Sequence, residues 1–357
     1  MSESLSIFQD PLWFWVLAAL LLLLLLLITR LTVLLIRRNT KIRQAMAAQR
    51  QMKASARLQR KVQRNMARFS LLRDDDNAIT LDNTMDDGTA EAYGRFTTAA
   101  CMELGTRSSQ QDALYVSKTA EFSPEDAPVI MGVVCDGMGG LEGGEIASQM
   151  SVDLFVSELM QMRDWAGAPK CLEETAKKID EAVFRMSEQQ SGAGSMGTTL
   201  AGVLAQGNQL YWLSAGDSRI YILRGDEMIQ VTKDHNFGLR LNEMVRAGIL
   251  TEEEAQHDTR REALISYMGM GGISLIEINQ NPLLLHNGDI ILLCSDGLTK
   301  VAADHDIKAC MQNHYYDMDT AAKALVALAC GSPERPLAPG RSRDNTSVVL
   351  IHYSEYK

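Results

Sequence analysis

The sequence predicts an α+β domain preceded by one membrane-spanning helix. Three observations lead to this. Apolar strand-like runs follow one another with turns between them from about residue 93 onward. The long helical segments stand apart from those runs, without the strand–helix–strand alternation of a parallel sheet. An unbroken apolar run fills residues 12–28.

That run resumes after Thr29 and Arg30 as "LTVLLI" and ends at Ile36. It is long enough to cross a bilayer core, which takes about 20 helical residues. Trp13 and Trp15 suit one lipid–water interface, and Arg30 can snorkel at the other. A cleaved signal peptide has a basic leader. Here the leader carries Glu3 and Asp10 and no cation, and Arg37 and Arg38 follow the run. The expectation is an uncleaved anchor at 12–36, a short extracytoplasmic stretch at 1–11, and the C-terminal bulk in the cytoplasm.

Residues 37–73 hold twelve Lys/Arg and no acid. Ile42, Met46, Leu58, Val62, Met66 and Phe69 include helical spacings, so part of this juxtamembrane segment reads as an amphipathic helix. It could lie on anionic lipid, pair with a second copy, or simply fix orientation as a solvated basic helix; the pattern leaves these open. Residues 74–92 are acidic and turn-rich, a linker. Residues 1–73 carry +11 and the remainder −21, within a total of −10. An acidic domain argues against nucleic acid and for hard cations.

Within 93–357 the strand-like runs are 131–136, 198–205, 209–215, 219–225, 289–296 and 346–353, and the helical segments are about 144–163, 171–190 and 320–330. Residues 236–257 read as a helical insertion. The six cysteines show no C-x-x-C spacing, and Cys135 and Cys294 sit inside apolar runs. They read as reduced thiols in a cytosolic domain.

The chemistry is carried by a repeated device. Apolar runs meet an aspartate at Asp136 ("VVCDGMGG"), Asp296 ("LLCSDGLT") and Asp344 ("SRDNTSVVL"), and Asp217 sits between two runs in "SAGDSRIYIL". A single Asp-Gly is usually only a turn. Four acids at strand ends can converge on one rim, where they repel unless a divalent cation joins them. All-oxygen ligands favour Mg²⁺ or Mn²⁺ over Zn²⁺. The glycines after Asp136 let backbone approach a metal or substrate. No Gly-Lys-Ser/Thr follows them, which excludes a P-loop, and the acid before the first glycine speaks against a dinucleotide fingerprint.

In order, "GTRSSQQDAL", "VVCDGMGGLEGGEIAS", "SMGTTL", "SAGDSRIYIL", "VTKDHN", "LLCSDGLT" and "SRDNTSVVLI" resemble the motif series of the metal-dependent type 2C (PPM) serine/threonine protein phosphatases, in their bacterial form. The resemblance spans about 95–353 and implies two packed antiparallel sheets flanked by helices. It also implies two Mn²⁺ or Mg²⁺ ions at one end of the sandwich, and hydrolysis of phosphoserine and phosphothreonine by a hydroxide between them. By the same resemblance Asp136 bridges the ions, the Gly137 carbonyl serves one, and Asp296 and Asp344 serve the other. Arg107 grips the phosphate, Asp217 belongs to a third ion, and 236–270 forms a flap beside the site.

The chain departs from the family at three places. Gln111 stands where a carboxylate is common, Met138 where animal members carry a histidine, and Lys300 where many members carry an acid. The last puts the third ion in question. His235 and His305 read as surface or capping residues, and Thr198, Thr199 and Ser218 as structural. Two functions follow: a phosphatase tethered to the inner membrane and opposing a Ser/Thr kinase, or a silent phosphatase-like scaffold. The retained acids and Arg107 favour the enzyme.

Overall fold

A computed structural model describes residues 93–122, 127–139, 143–162, 164–190, 195–331 and 343–356. The expected span at 12–36, the basic segment and the linker lie outside the described residues. Among the described residues, no helix is long and apolar enough to cross a membrane.

Two antiparallel sheets form the centre. The first contains β1 (Tyr93–Glu103), β3 (Ala120–Phe122), β8 (Arg219–Arg224), β9 (Glu227–Gln230), β12 (Ile290–Cys294) and β13 (Thr346–Tyr356), in the order β3-β1-β13-β12-β8-β9. The second contains β2 (Asp112–Val116), β4 (Val129–Gly139), β6 (Leu200–Gln206), β7 (Gln209–Ala215) and β10 (Glu277–Ile278), in the order β10-β7-β6-β4-β2. There β5 (Met196–Thr198) pairs with the end of β4, and β11 (Leu283–Leu284) with β7. Central strands such as "IILLC" are buried along their whole length. A strand covered on both faces has no solvent side, so its apolar run is continuous instead of alternating.

Helices cover the outer faces. Against the second sheet lie α1 (Gly143–Met160) and α2 (Ala168–Gln190). Ala147, Ser151, Phe155 and Leu159 line the buried face of α1, and Leu172, Ala176, Ile179 and Val183 that of α2. Spacings of three and four put each set on one stripe. Each fully buried large aliphatic or aromatic side chain there contributes roughly 1.5–3 kcal/mol. After α3 (Phe237–Arg246), α4 (Glu252–His257) and α5 (Asp296–Thr299), the first sheet is covered by α6 (Asp304–Asn313) and α7 (Met318–Cys330).

The helical readings at 144–163, 171–190 and 320–330 fall on α1, α2 and α7. The sequence did not announce β1 or α6. "YGRFTTAACME" has a weak alternation, and its strand exists through an eleven-residue ladder with β13. The insertion holds α3 and α4, the second opened by a Thr251–Glu254 capping box. It is closed by the Asn236–Leu264 bridge.

Candidate metal centre

Strand register brings the acids together. Asp112 opens β2 directly opposite Asp136 near the end of β4. In the other sheet, Cys294 at the end of β12 pairs with Val348 near the start of β13 and with Arg219 at the start of β8. Asp296, Asp344 and Asp217 therefore leave the first sheet at one end. The sheets are tied there by the Ser295 hydroxyl, which donates to Asp112 Oδ2 at 2.8 Å and accepts from Ser347 N–H at 3.0 Å.

The Asp136 peptide is fixed on both sides. Its N–H donates to Thr199 Oγ1 at 2.9 Å. Its carbonyl accepts from Thr199 N–H at 2.9 Å and from Thr198 Oγ1 at 3.0 Å. Thr199 Oγ1 lies 2.6 Å from Ser218 Oγ, beside Asp217. Gly137 then passes the first turn of α1 with no space to spare. A Cβ on Gly137 would lie 2.1 Å from the Gly144 carbonyl oxygen, and one on Gly144 would lie 2.9 Å from the Gly137 carbonyl oxygen. Backbone-to-backbone approach at that distance admits only glycine.

A second loop brings the cation. Gly105 has φ +65°, and a Cβ there would lie 2.4 Å from the Asp344 carbonyl oxygen. Asn345 holds this loop: its Oδ1 accepts from Gln111 N–H at 2.8 Å, and its Nδ2 donates to the carbonyls of Leu104 and Ser109. Arg107 then donates from Nη2 to Asp344 Oδ2 at 2.7 Å, with half of its side chain exposed. That hydrogen bond raises the guanidinium's pKa further, so the fork is always charged.

Electrostatics mark the rim as crowded with like charge. Burial, then Asp112, Asp296, Asp217 and Asp344, push the Asp136 carboxyl well above the ordinary aspartate range. Burial, then Asp296, pushes Asp217 up to about 7. Burial also lifts Asp112 to about 6, against the hydrogen bond from Ser295. Asp296 is divided: Oδ2 accepts from Lys300 Nζ, while Oδ1 is buried without a hydrogen-bond partner.

These residues fit hard divalent cations. The donors are all carboxylate or carbonyl oxygens, one of them is buried and unpartnered, and their mutual repulsion is what a cation relieves. Among the described residues, no three histidine, cysteine or carboxylate groups already close on one point. Asp344 and Asp296 turn instead toward Arg107 and Lys300.

Comparison with known proteins decides the family. The model of the family described as protein phosphatase 2C matches residues 104–327. The chain belongs to the protein phosphatase 2C family. Its class is accordingly that of a serine/threonine protein phosphatase. The serine/threonine phosphatase stp of Listeria innocua is 29% identical over 195 residues, 54% of this chain and 75% of its own length. The Mycobacterium tuberculosis phosphatase PstP/Ppp superposes with a TM-score of 0.58 at 27% identity, covering 72% of this chain and 98% of that one. A structure of the PstP catalytic domain in complex with two manganese ions gives 0.56 at 27% identity, covering 73% and 99%.

All the expected site residues of this 2C phosphatase lie at one end of the sandwich. Asp112 belongs with them, although the sequence pattern marks it only weakly. The signal was present, since "QQDALYV" repeats the device of an acid beside a strand run. His235 needs correction. It is 2% exposed and neither surface nor cap, because the chain turns inward to donate His235 N–H to the Gly216 carbonyl. Burial, then Lys233, lowers its pKa to about 4, so it is neutral. His305 is exposed, as expected.

Proposed function

We propose that this protein is a membrane-tethered, metal-dependent phosphatase that hydrolyses phosphoserine and phosphothreonine on proteins at the cytoplasmic face of the inner membrane. Residues 93–357 are the catalytic unit. Residues 12–36 span the bilayer, 37–73 and 74–92 hold the catalytic unit near it, and the substrates are those of a Ser/Thr kinase. The tether rests on the apolar run and the one-sided basic residues after it. Self-association through the span or the basic segment remains compatible with the same residues.

The observation that carries the catalytic reading is the Asp136 carboxyl, surrounded by four other aspartates beside an exposed Arg107 fork. Two Mn²⁺ or Mg²⁺ ions would be held by Asp136, the Gly137 carbonyl, Asp296 and Asp344. When bound, such ions make water nucleophilic near neutral pH and neutralise phosphoryl oxygens. The chain's own groups do the rest. Arg107 receives two phosphate oxygens on its fork and sets the phosphorus in line for attack by water. Asp344 and the Asn345 clamp hold that fork at the rim. Thr198 and Thr199 keep the Asp136 peptide rigid. As the ester P–O bond breaks, the serine or threonine alkoxide takes its proton from water, since Met138 has none to give. Asp217 is assigned to the outer part of the same rim, and the segment 236–270 to the flap that meets the substrate protein.

The test uses the purified full chain and a phosphothreonine peptide. Phosphate release is expected with Mn²⁺ and is lost in chelator, and Arg107→Ala raises KM for the peptide. Undiminished turnover after exhaustive chelation contradicts the catalytic reading. Release of the chain from membranes by alkaline carbonate contradicts the tether.

A further inference from the structure

We infer that Lys300 is a built-in cation that takes the charge position of a third metal ion, so that this rim binds two divalent ions and no third. The inference rests on the two-ion reading above. The motivating observation is the divided carboxylate of Asp296. Its Oδ1 is buried without a hydrogen-bond partner, whereas Oδ2 accepts from Lys300 Nζ one helical turn away.

Lys300 differs from a surface lysine that pairs by chance. It is the cap residue of α5, whose first residue is Asp296, and its N–H donates to the Asp296 carbonyl at 2.8 Å. The helical turn places the two side chains four residues apart on one face, where a lysine can reach a carboxylate. About half of the side chain is covered. The ammonium acts on Asp217 and Asp136 as well as on Asp296. A metal that used Asp296 Oδ2 would have to displace the Lys300 ammonium, and one between Asp296 and Asp217 would sit beside a positive charge that acts on both. Two cations at contact distance in a partly buried site repel strongly. The Asp296 oxygen free of Lys300 escapes the first of these penalties, as does Asp136; Asp344 shares its Oδ2 with the half-exposed Arg107 fork. Lys300 thus leaves Asp296 with one oxygen already paired with a cation and one that is not.

Residue-level chemistry gives this arrangement a use. A tethered ammonium cannot dissociate, so the pairing of Asp296 Oδ2 with a cation does not depend on free metal concentration. The two-ion side then determines how the protein responds to Mn²⁺.

Equilibrium dialysis of the full chain against Mn²⁺, with free ion read by electron paramagnetic resonance, tests this directly. The wild type should bind two ions, and Lys300→Asp three, the third at least about tenfold tighter than any further binding in the wild type. Lys300→Met, which keeps the stem and removes the charge, should fall between. In chelator Lys300→Met should also melt below the wild type, and saturating Mn²⁺ should narrow the gap. Three tight ions in the wild type, or two in Lys300→Asp with a native melting transition, overturn this inference alone. A wild type that binds no Mn²⁺ overturns it together with the two-ion reading, and Asp136→Asn binding as many ions as wild type would show that the ions sit elsewhere.

Discussion

Asp180 in α2 and Asp296 at the rim are both buried aspartates, 2% and 9% exposed. Their surroundings could hardly differ more. Asp180 accepts from five consecutive backbone N–H groups. Those of Gly269, Met270 and Gly271 point to Oδ1, and those of Gly272 and Ile273 to Oδ2, at 2.6–3.3 Å. Asp296 has one oxygen on Lys300, one with no partner, and Asp136 and Asp217 close enough to feel its charge. A carboxylate fully supplied with donors is structural: it fastens residues 269–273 to the helix beneath. A carboxylate kept short of donors among other acids is held ready for a ligand, because nothing in folding alone rewards that arrangement.

The contrast can be broken most severely at the rim. Asp136→Asn should lower turnover by about 10³-fold or more, since it removes the acid shared by the proposed ions. In chelator the same variant should be at least as stable as wild type, because a repelling charge has gone. Phosphate release and a melting curve on one sample measure both. A matching loss of stability would make Asp136 structural, like Asp180.

Asp180→Ala should do the reverse. Removing the shared acceptor of five backbone N–H groups, of which those of Gly269 and Ile273 are buried, should cost about 2–3 kcal/mol in stability. Hydrogen exchange should speed up selectively at 269–273, and in the molecules still folded the metal stoichiometry should stay at two. Unchanged exchange there would mean that the five contacts do not hold the segment.

The carboxyls at the rim also give a pH signature. Those of Asp112, at about 6, and Asp217, at about 7, are raised above their unfolded value near 4. In that window the native state binds more protons than the unfolded one. Without metal, the contribution of these two groups to stability should therefore be greatest below about pH 4 and be lost as pH rises through 6 and 7, by roughly 5 °C in melting temperature. Saturating Mn²⁺ should reverse the trend, because ions compete with those protons. A metal-free melting temperature that rises from pH 5 to 7 would remove the claim of crowding.

How much of this was legible beforehand differs between the same two regions. Asp136, Asp217, Asp296 and Asp344 each stand beside an apolar run, so their common rim could be read from pattern alone. Asp112 follows the same rule, but its strand run "ALYV" is too short to mark the acid. Asp180 could not be read. It lies in "KKIDEAVFR", where a charge on an amphipathic helix normally faces water. The reason for its burial is a loop some 90 residues later in the chain, and only "GMGG" at 269–272 hinted at clustered backbone donors. The inward turn of His235 is non-local in the same way, set by the Gly216 carbonyl.

The positions of the ions are the most direct test. Anomalous diffraction from Mn²⁺-soaked crystals of the protein should show two peaks that share Asp136, one at the Gly137 carbonyl and the other at Asp296 and Asp344, with Lys300 still on Asp296 and no peak beside Asp217. Peaks away from Asp136, or a fully occupied ion in place of the Lys300 ammonium, would contradict it.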